Sequence, residues 1–311
     1  MNITRRSWRD LAPNLADTLN RFSIFTSPGF VLLFETLDGS GGYYLVEQDG
    51  QVIAALPIVE FGRPPFRRLQ ALTDGLYAPV WIDESRRADA LPLAHAILER
   101  IATESYLKSI ITDFDNQLSP KRWQSLEMET SLVDLHLDDS AGEWLPPDKT
   151  LCAEIAKADR DGVAVIPINS DTHMASFLSL MRKTEARHGR PQKYPEPFWR
   201  GLAELSAHDP RILWLGVETS GQLACSHIYL IDRRAALNWQ IYFDKQYSPL
   251  KPNQAIMFQA AKRLKKAGVG YLNLGSTPPE ATGVASYKEK WGGRAYRYRV
   301  WKRTSFLGRW Q

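Results

Sequence analysis

Lys288 directly follows Tyr287 and stands three residues before Trp291-Gly292-Gly293. A lysine held in place can stabilise negative charge that develops on a carbonyl oxygen during acyl transfer. The run Lys288-Glu289-Lys290 is also the ordinary pattern of a solvated face. Trp239, Tyr242 and Asp244 end an apolar run. A tyrosine there suits a general acid, and an aspartate suits a base or an anchor for an amine. Core packing is the other reading of the two aromatics. Lys245, Lys251 and Asn253 stand at the mouth of an expected helix, where free backbone N–H groups and the helix dipole attract anions. A polar loop with an asparagine cap would look the same. Lys183, Arg187, His188 and Arg190 close another expected helix. They suit either a phosphorylated acceptor or RNA, or only the helix dipole. Cys225 and His227 share one strand face. A nucleophile pair needs contact, an orienting third group and exposure, so a buried strand explains them better. The six histidines have no metal-ligand spacing, and we expect no metal.

Charge is distributed unevenly. From Leu250 to Gln311 there are 13 Lys and Arg against Glu280 and Glu289, a balance of +11, while the chain as a whole is +4 and the rest therefore −7. That points the C-terminal end at an anionic partner, such as a phosphate-bearing donor or RNA. Arg297 and Arg299 alternate with Tyr296 and Tyr298, which suits phosphate contacts and base stacking. An edge strand guarded by charge has the same pattern. Asp74 and Tyr77, in Thr73–Pro79, fit either an acceptor pocket or a turn with a structural aspartate. Two distant cysteines and an N-terminus with no apolar stretch after its charges fit a cytoplasmic protein without a disulfide framework. No apolar run is long enough to cross a bilayer.

The elements that must position these groups follow from periodicity and turn residues. Helices are expected around 7–21, 28–35, 83–105, 148–160, 172–187, 196–207 and 253–266. Strands are expected at 43–47, 51–59, 107–112, 131–137, 163–168, 212–218, 223–231, 236–243 and 270–274, with a last Arg-rich strand to Trp301. Gln48-Asp49-Gly50 and Ser220-Gly221-Gln222 are hairpin turns. Asp171 is the expected cap of the 172–187 helix, and Gly268 closes the 253–266 helix. Length suggests about two domains, and the polar, proline-containing stretch 138–149 is the expected connection. No P-loop or Gly-rich fingerprint follows a strand.

The order of these pieces resembles the Fem aminoacyltransferases and the wider set of acetyltransferase-like (GNAT) proteins. The residues that carry the resemblance are Lys183-Thr184 through Pro191, Gly221–Ala224, Trp239–Asp244, Pro252-Asn253, Leu272–Ser276, Tyr287-Lys288 and Trp291-Gly292, spread over about 150–301. Phe25–Pro28 and Asp49-Gly50 add a thinner likeness in the first half. The resemblance implies an α+β protein of two tandem GNAT domains, 1–145 and 146–311, each a mixed, mostly antiparallel sheet flanked by helices. It implies an N-acyltransferase forming an amide bond. The donor would be acyl-CoA or aminoacyl-tRNA, with no tightly bound cofactor, and the acceptor a small-molecule or cell-envelope amine. It places Lys288 at the aminoacyl end of the donor. With it, Tyr242 and Asp244 become catalytic candidates, and Lys245, Lys251, Asn253, Tyr287, Arg297 and Arg299 donor-binding candidates. Asp74, Tyr77, Lys183, Arg187, His188 and Trp239 become acceptor-binding candidates. The stretch Gln246–Pro252 departs from the pattern, because it lacks the glycines with which single-domain acetyltransferases cradle the CoA pyrophosphate. No long heptad arm is present either. The rival expectation is a degenerate, non-catalytic pair that binds saccharide or nucleic acid.

Overall fold

A computed structural model describes the chain except residues 73–74, 137–143, 279 and 306–311. It divides into two compact units, Met1–Met128 with Arg297–Gln311, and Glu129–Tyr296. The elements of the first are β1 (Asn2–Ser7), α1 (Pro13–Phe22), α2 (Pro28–Leu32), β2 (Gly39–Gln48), β3 (Gln51–Phe61), β4 (Arg68–Gln70), β5 (Trp81–Ile82), α3 (Ala90–Thr103) and β6 (Lys108–Asp113). The chain passes between the units along β7 (Gln124–Asp134). The second unit contains α4 (Lys149–Arg160), β8 (Val165–Pro167), α5 (Ser170–Arg187), α6 (Glu196–His208), β9 (Ile212–Thr219), β10 (Gln222–Asp232), β11 (Ala235–Phe243), α7 (Pro252–Lys266), β12 (Tyr271–Asn273) and α8 (Thr282–Lys290). Last comes β13 (Arg294–Thr304).

In the first unit the strand order is β1-β2-β3-β4-β6-β13, with β5 beside β3. All pairs are antiparallel except β4 with β6. Asp49 (φ +52) and Gly50 (φ +76) turn the β2–β3 hairpin in the left-handed region that its twist requires. Asn2–Ser7 form a strand, although Ser7 is expected to open the first helix. β1 pairs along its whole length with β2, from Asn2↔Glu47 to Ser7↔Gly42, and that pairing overrides local preference.

In the second unit the order is β7-β12-β11-β10-β9-β8. The meander β9-β10-β11 is antiparallel, and β11 with β12 is parallel. α7 and α4 cover one face, where Ile256, Met257 and Ala260 pack on Cys225, Tyr229, Ala236 and Leu272. Phe177 of α5 and Trp199 of α6 pack edge-on to Tyr242 of β11. The cap of α5 is Asn169, whose Oδ1 accepts from the N–H groups of Asp171 (2.8 Å) and Thr172 (3.1 Å). The expected cap, Asp171, is already inside the helix. Asn and Asp cap equally well, so two candidates two residues apart could not be ranked by type.

Candidate active site

Two strands part in the second unit. β11 and β12 pair at Ala235↔Tyr271, Ala236↔Leu272 and Leu237↔Asn273, and no further. Beyond Leu237, β11 stays with β10, where a bulge falls at Trp239 between the pairs Tyr229↔Asn238 and Ile228↔Gln240. Beyond Asn273, the chain stays with β7, the Leu274 N–H donating to Ser131 O (2.8 Å). The loop that leaves the parting is held from three sides. Asn273 Oδ1 accepts from Thr130 Oγ1 (2.5 Å) and from the Gly275 N–H (2.8 Å). The Ser131 N–H reaches Gly275 O at 3.4 Å. Lys288 Nζ donates to the carbonyls of Gly275 (2.6 Å) and Ser276 (2.9 Å).

Lys288 is therefore not a solvated lysine. It lies on α8 with 7% of its surface exposed, and burial pushes its ammonium down to about 8. The two carbonyl dipoles favour the charged form. Its third N–H has no partner among the described residues. The residues around it explain their own spacing. Tyr287 donates to Met257 Sδ (3.4 Å), and burial raises its phenol. Trp291 stacks on Trp144 at 6.1 Å and 3°. Gly292, at φ +81, donates to Glu289 O (2.8 Å), and Gly293 donates to Lys288 O (2.9 Å). That pair of bonds is a Schellman closure of α8, which is why two glycines follow the tryptophan.

At the start of α7, the chemistry expected to bind anions is largely occupied. Asn253 Oδ1 accepts from Cys225 Sγ (3.0 Å) and from His227 Nε2 (2.9 Å). An amide oxygen only accepts, so Nε2 carries the proton and Nδ1 accepts from the Tyr229 hydroxyl (3.0 Å). Burial drives His227 down to about 4 and raises the Cys225 thiol. Cys225 is thus protonated and enclosed, unlike a reactive thiolate. Glu154 of α4 reaches Lys251 Nζ with Oε1 (2.6 Å) and accepts from Gln254 Nε2 with Oε2 (2.9 Å). A carboxylate already neutralises this helix end. Residues Lys245–Leu250 form a 3-10 helix capped by Asp244, whose Oδ1 accepts from the Gln246 N–H (3.2 Å). Lys245 is exposed.

The remaining expected residues fall elsewhere. Lys183 Nζ pairs with Asp244 at 3.2 Å, and Arg187 Nη1 donates to Phe243 O (2.7 Å). With Thr184 on the backbone of Phe243, they bind α5 to the end of β11. His188 caps α5, its imidazole lowered by partial burial and then by Arg187 and Arg190. Trp239 is buried beside Tyr194 and Phe198. Tyr242 is buried, donates to Gln240 Oε1 (3.2 Å) and has a raised phenol pKa from burial. No hydrogen bond joins Tyr242 or Asp244 to Lys288. In the first unit, Tyr77 is buried and stacks on Phe114 at 4.8 Å, and Asp74 lies outside the described residues. Arg297 and Arg299 are exposed, Arg297 pairing with Glu127 at 3.5 Å. Trp301, which strict alternation along the strand would put on their face, is buried with its Nε1 donating to Asp113 Oδ2 (3.3 Å). Residues that the sequence reading left out of its site are Thr130, Ser131, Asn238 and Asn273. Asn273 lies within the Leu272–Ser276 run but had no role assigned to it, the other three belong to no motif, and the register of β7, β11 and β12 brings these segments together.

Residues 149–289 match the model of the acetyltransferase (GNAT) domain. The fold is that of the GNAT acetyltransferases. Solved structures agree over 95–100% of the chain. One is FemX, with a TM-score of 0.72, 10% identity, and 100% of this chain and 99% of that one covered. Another is L-PGS from Bacillus licheniformis, at 0.61, 13%, 95% and 94%. A third is a tandem GNAT protein from the clavulanic acid biosynthesis pathway, at 0.53, 13%, 97% and 98%. At such identities the likeness is one of fold, and it bears out the α+β, tandem GNAT-type expectation. No curated protein matches in sequence. Among the described residues, no helix is long and apolar enough to cross a membrane.

Proposed function

We propose that the Glu129–Tyr296 unit transfers an acyl group from an activated donor to an amine, at the parting of β11 and β12. The observation that carries this reading is the buried Lys288 ammonium beside a loop fixed by Asn273 and Ser131. The amine nitrogen attacks the acyl carbonyl carbon and forms the C–N bond. The C–O bond of a ribose ester, or the C–S bond of a thioester, breaks. The amine gives up a proton, and the leaving oxygen or sulfur takes one. Direct transfer needs positioning and oxyanion stabilisation, and no protein nucleophile, which agrees with a Cys225 thiol that is enclosed and protonated.

Aminoacyl-tRNA is the donor we favour, and a small or cell-envelope amine the acceptor. Glu154 at the α7 N-terminus opposes a pyrophosphate there. The N–H groups of Gln246, Tyr247 and Lys251 are already bonded within their loop. FemX and L-PGS are among the similar folds, and the C-terminal end is basic. Acyl-CoA is the second reading, favoured by the GNAT domain match. The test is filter binding of bulk aminoacyl-tRNA and calorimetry with acetyl-CoA, on the full chain. Salt-dependent tRNA binding without CoA binding is expected. CoA binding alone moves the donor to acyl-CoA. Binding of neither removes acyl transfer and leaves a non-catalytic pair that binds saccharide or other nucleic acid.

A further inference from the structure

Three asparagines surround the parting strands, and two have their amide oxygens fully used. Asn253 Oδ1 serves Cys225 and His227. Asn273 Oδ1 serves Thr130 and the Gly275 N–H. Asn238 differs. It is 6% exposed, and neither its Oδ1 nor its Nδ2 has a partner among the described residues. It sits one residue past Leu237, the last residue of β11 that pairs with β12. Its cross-strand neighbour is Tyr229, and residues directly opposite in an antiparallel pair share a face. Tyr229 and Ala236 both lie in the core beneath α7, so the Asn238 amide is on that face, where the two strands separate. A buried amide with a donor and an acceptor both unmet is unfavourable in the empty protein, and a ligand that meets both removes the penalty.

We propose that Asn238 determines specificity for the transferred group, and that this group is an α-aminoacyl group. The proposal rests on the acyl-transfer reading above. Nδ2 donates to the acyl carbonyl oxygen, and Oδ1 accepts from the α-amino nitrogen three bonds away. A plain alkyl acyl group offers an acceptor but no donor, so it leaves Oδ1 buried and unpaired. Rejection of an analogue that lacks a hydrogen-bonding group is the discrimination that such a site performs well.

The test compares two pairs of probes that differ only by an α-amino group. One pair is 3′-alanylamino-3′-deoxyadenosine and its 3′-propanoylamino counterpart. The other is glycyl-CoA and acetyl-CoA. Calorimetry on the full-length wild type is expected to show the amino form binding about tenfold more tightly, or better, on the scaffold that binds, as suits one hydrogen bond to a charged group. Asn238→Leu should bring that ratio to about twofold or less, with an unchanged or raised Tm, because an unpaired buried amide has been removed. Asn238→Asp keeps an acceptor for the ammonium and should retain the preference, and it carries the comparison if Asn238→Leu does not fold. A wild type that binds either scaffold without preferring the amino form overturns the proposal alone. So does an Asn238→Leu variant that keeps the preference, or Asn238→Asp losing it. Failure of both scaffolds to bind overturns the acyl-transfer reading and this proposal together.

Discussion

Lys288 is a buried cation whose charge is held by backbone carbonyls, and this sets what its removal does. Lys288→Ala should lower turnover by on the order of a hundredfold, as loss of an oxyanion donor does. It should also destabilise by about 1–3 kcal/mol, since the Gly275 and Ser276 carbonyls lose their donor. In the proposed reaction the charged form is the competent one, so activity should fall as pH rises past about 8. Lys288→Arg, which stays charged, should lack that alkaline limb while recovering only part of the rate, because a planar guanidinium fits the two carbonyls poorly. Steady-state pH profiles and thermal unfolding measure both effects. His227 gives a second test at this scale. Its folded value, about 4, lies below its ordinary 6.5. The unfolded chain therefore binds more protons between those values, and stability falls as pH drops through that window. The loss amounts to about 3 kcal/mol for such a shift. Urea unfolding from pH 7 to pH 4 should show a shallower slope in His227→Gln. The sequence placed Lys288 by its order among neighbours, but not its burial. The run Lys288-Glu289-Lys290 alternates across a helix, one lysine inward and its neighbours outward, and charge content alone cannot tell those faces apart.

At the scale of elements, α8 and its two glycines orient the lysine. A Cβ on Gly293 would meet Ser131 Oγ, and Lys288 O at 2.7 Å. Gly293→Ala must therefore shift either the Schellman closure or β7, and both lie against the fixed loop. We expect a loss of about 1–3 kcal/mol, the usual result of overpacking, together with lower turnover. Gly268→Ala should leave turnover unchanged although Gly268, unlike Gly293, has positive φ (+78), since a Cβ there meets nothing within 4 Å. Thermal unfolding and rate on the two variants separate these outcomes. Most of the second unit was legible in the sequence because its helices and its β9-β10-β11 meander are amphipathic or flanked by turn residues. The first seven residues of β7 were not. Most of Gln124–Thr130 is exposed and polar, so no apolar alternation marks it. α8 was hidden for a related reason, a nine-residue helix with one buried side chain.

At the scale of the whole molecule, the basic C-terminal end gives the donor test. Neutralising Lys262, Arg263, Lys265, Lys266, Arg297 and Arg299 together should weaken tRNA binding and flatten its salt dependence. Each lost phosphate contact should change the log–log slope by about 0.7–0.9. Filter binding across a salt series reads this directly, and an unchanged slope would move the RNA contact elsewhere. The proposed division at 145/146 follows the polar connection. The compact units are drawn differently, with β7 crossing between them and residues 297–311 returning to the first. Periodicity locates elements along the chain, and it carries no record of which sheet a late strand rejoins.

That returning strand has a consequence for how the protein is made. β13 pairs with β6 from Arg299↔Asp113 to Thr304↔Lys108, about 190 positions apart, yet the ribosome delivers it after every other element described. Until then the β6 edge of the nascent first unit is bare, the condition under which strands seek partners in other chains. A fragment of residues 1–145 should therefore aggregate when expressed alone. A separately supplied peptide spanning 294–305 should raise its soluble fraction on gel filtration.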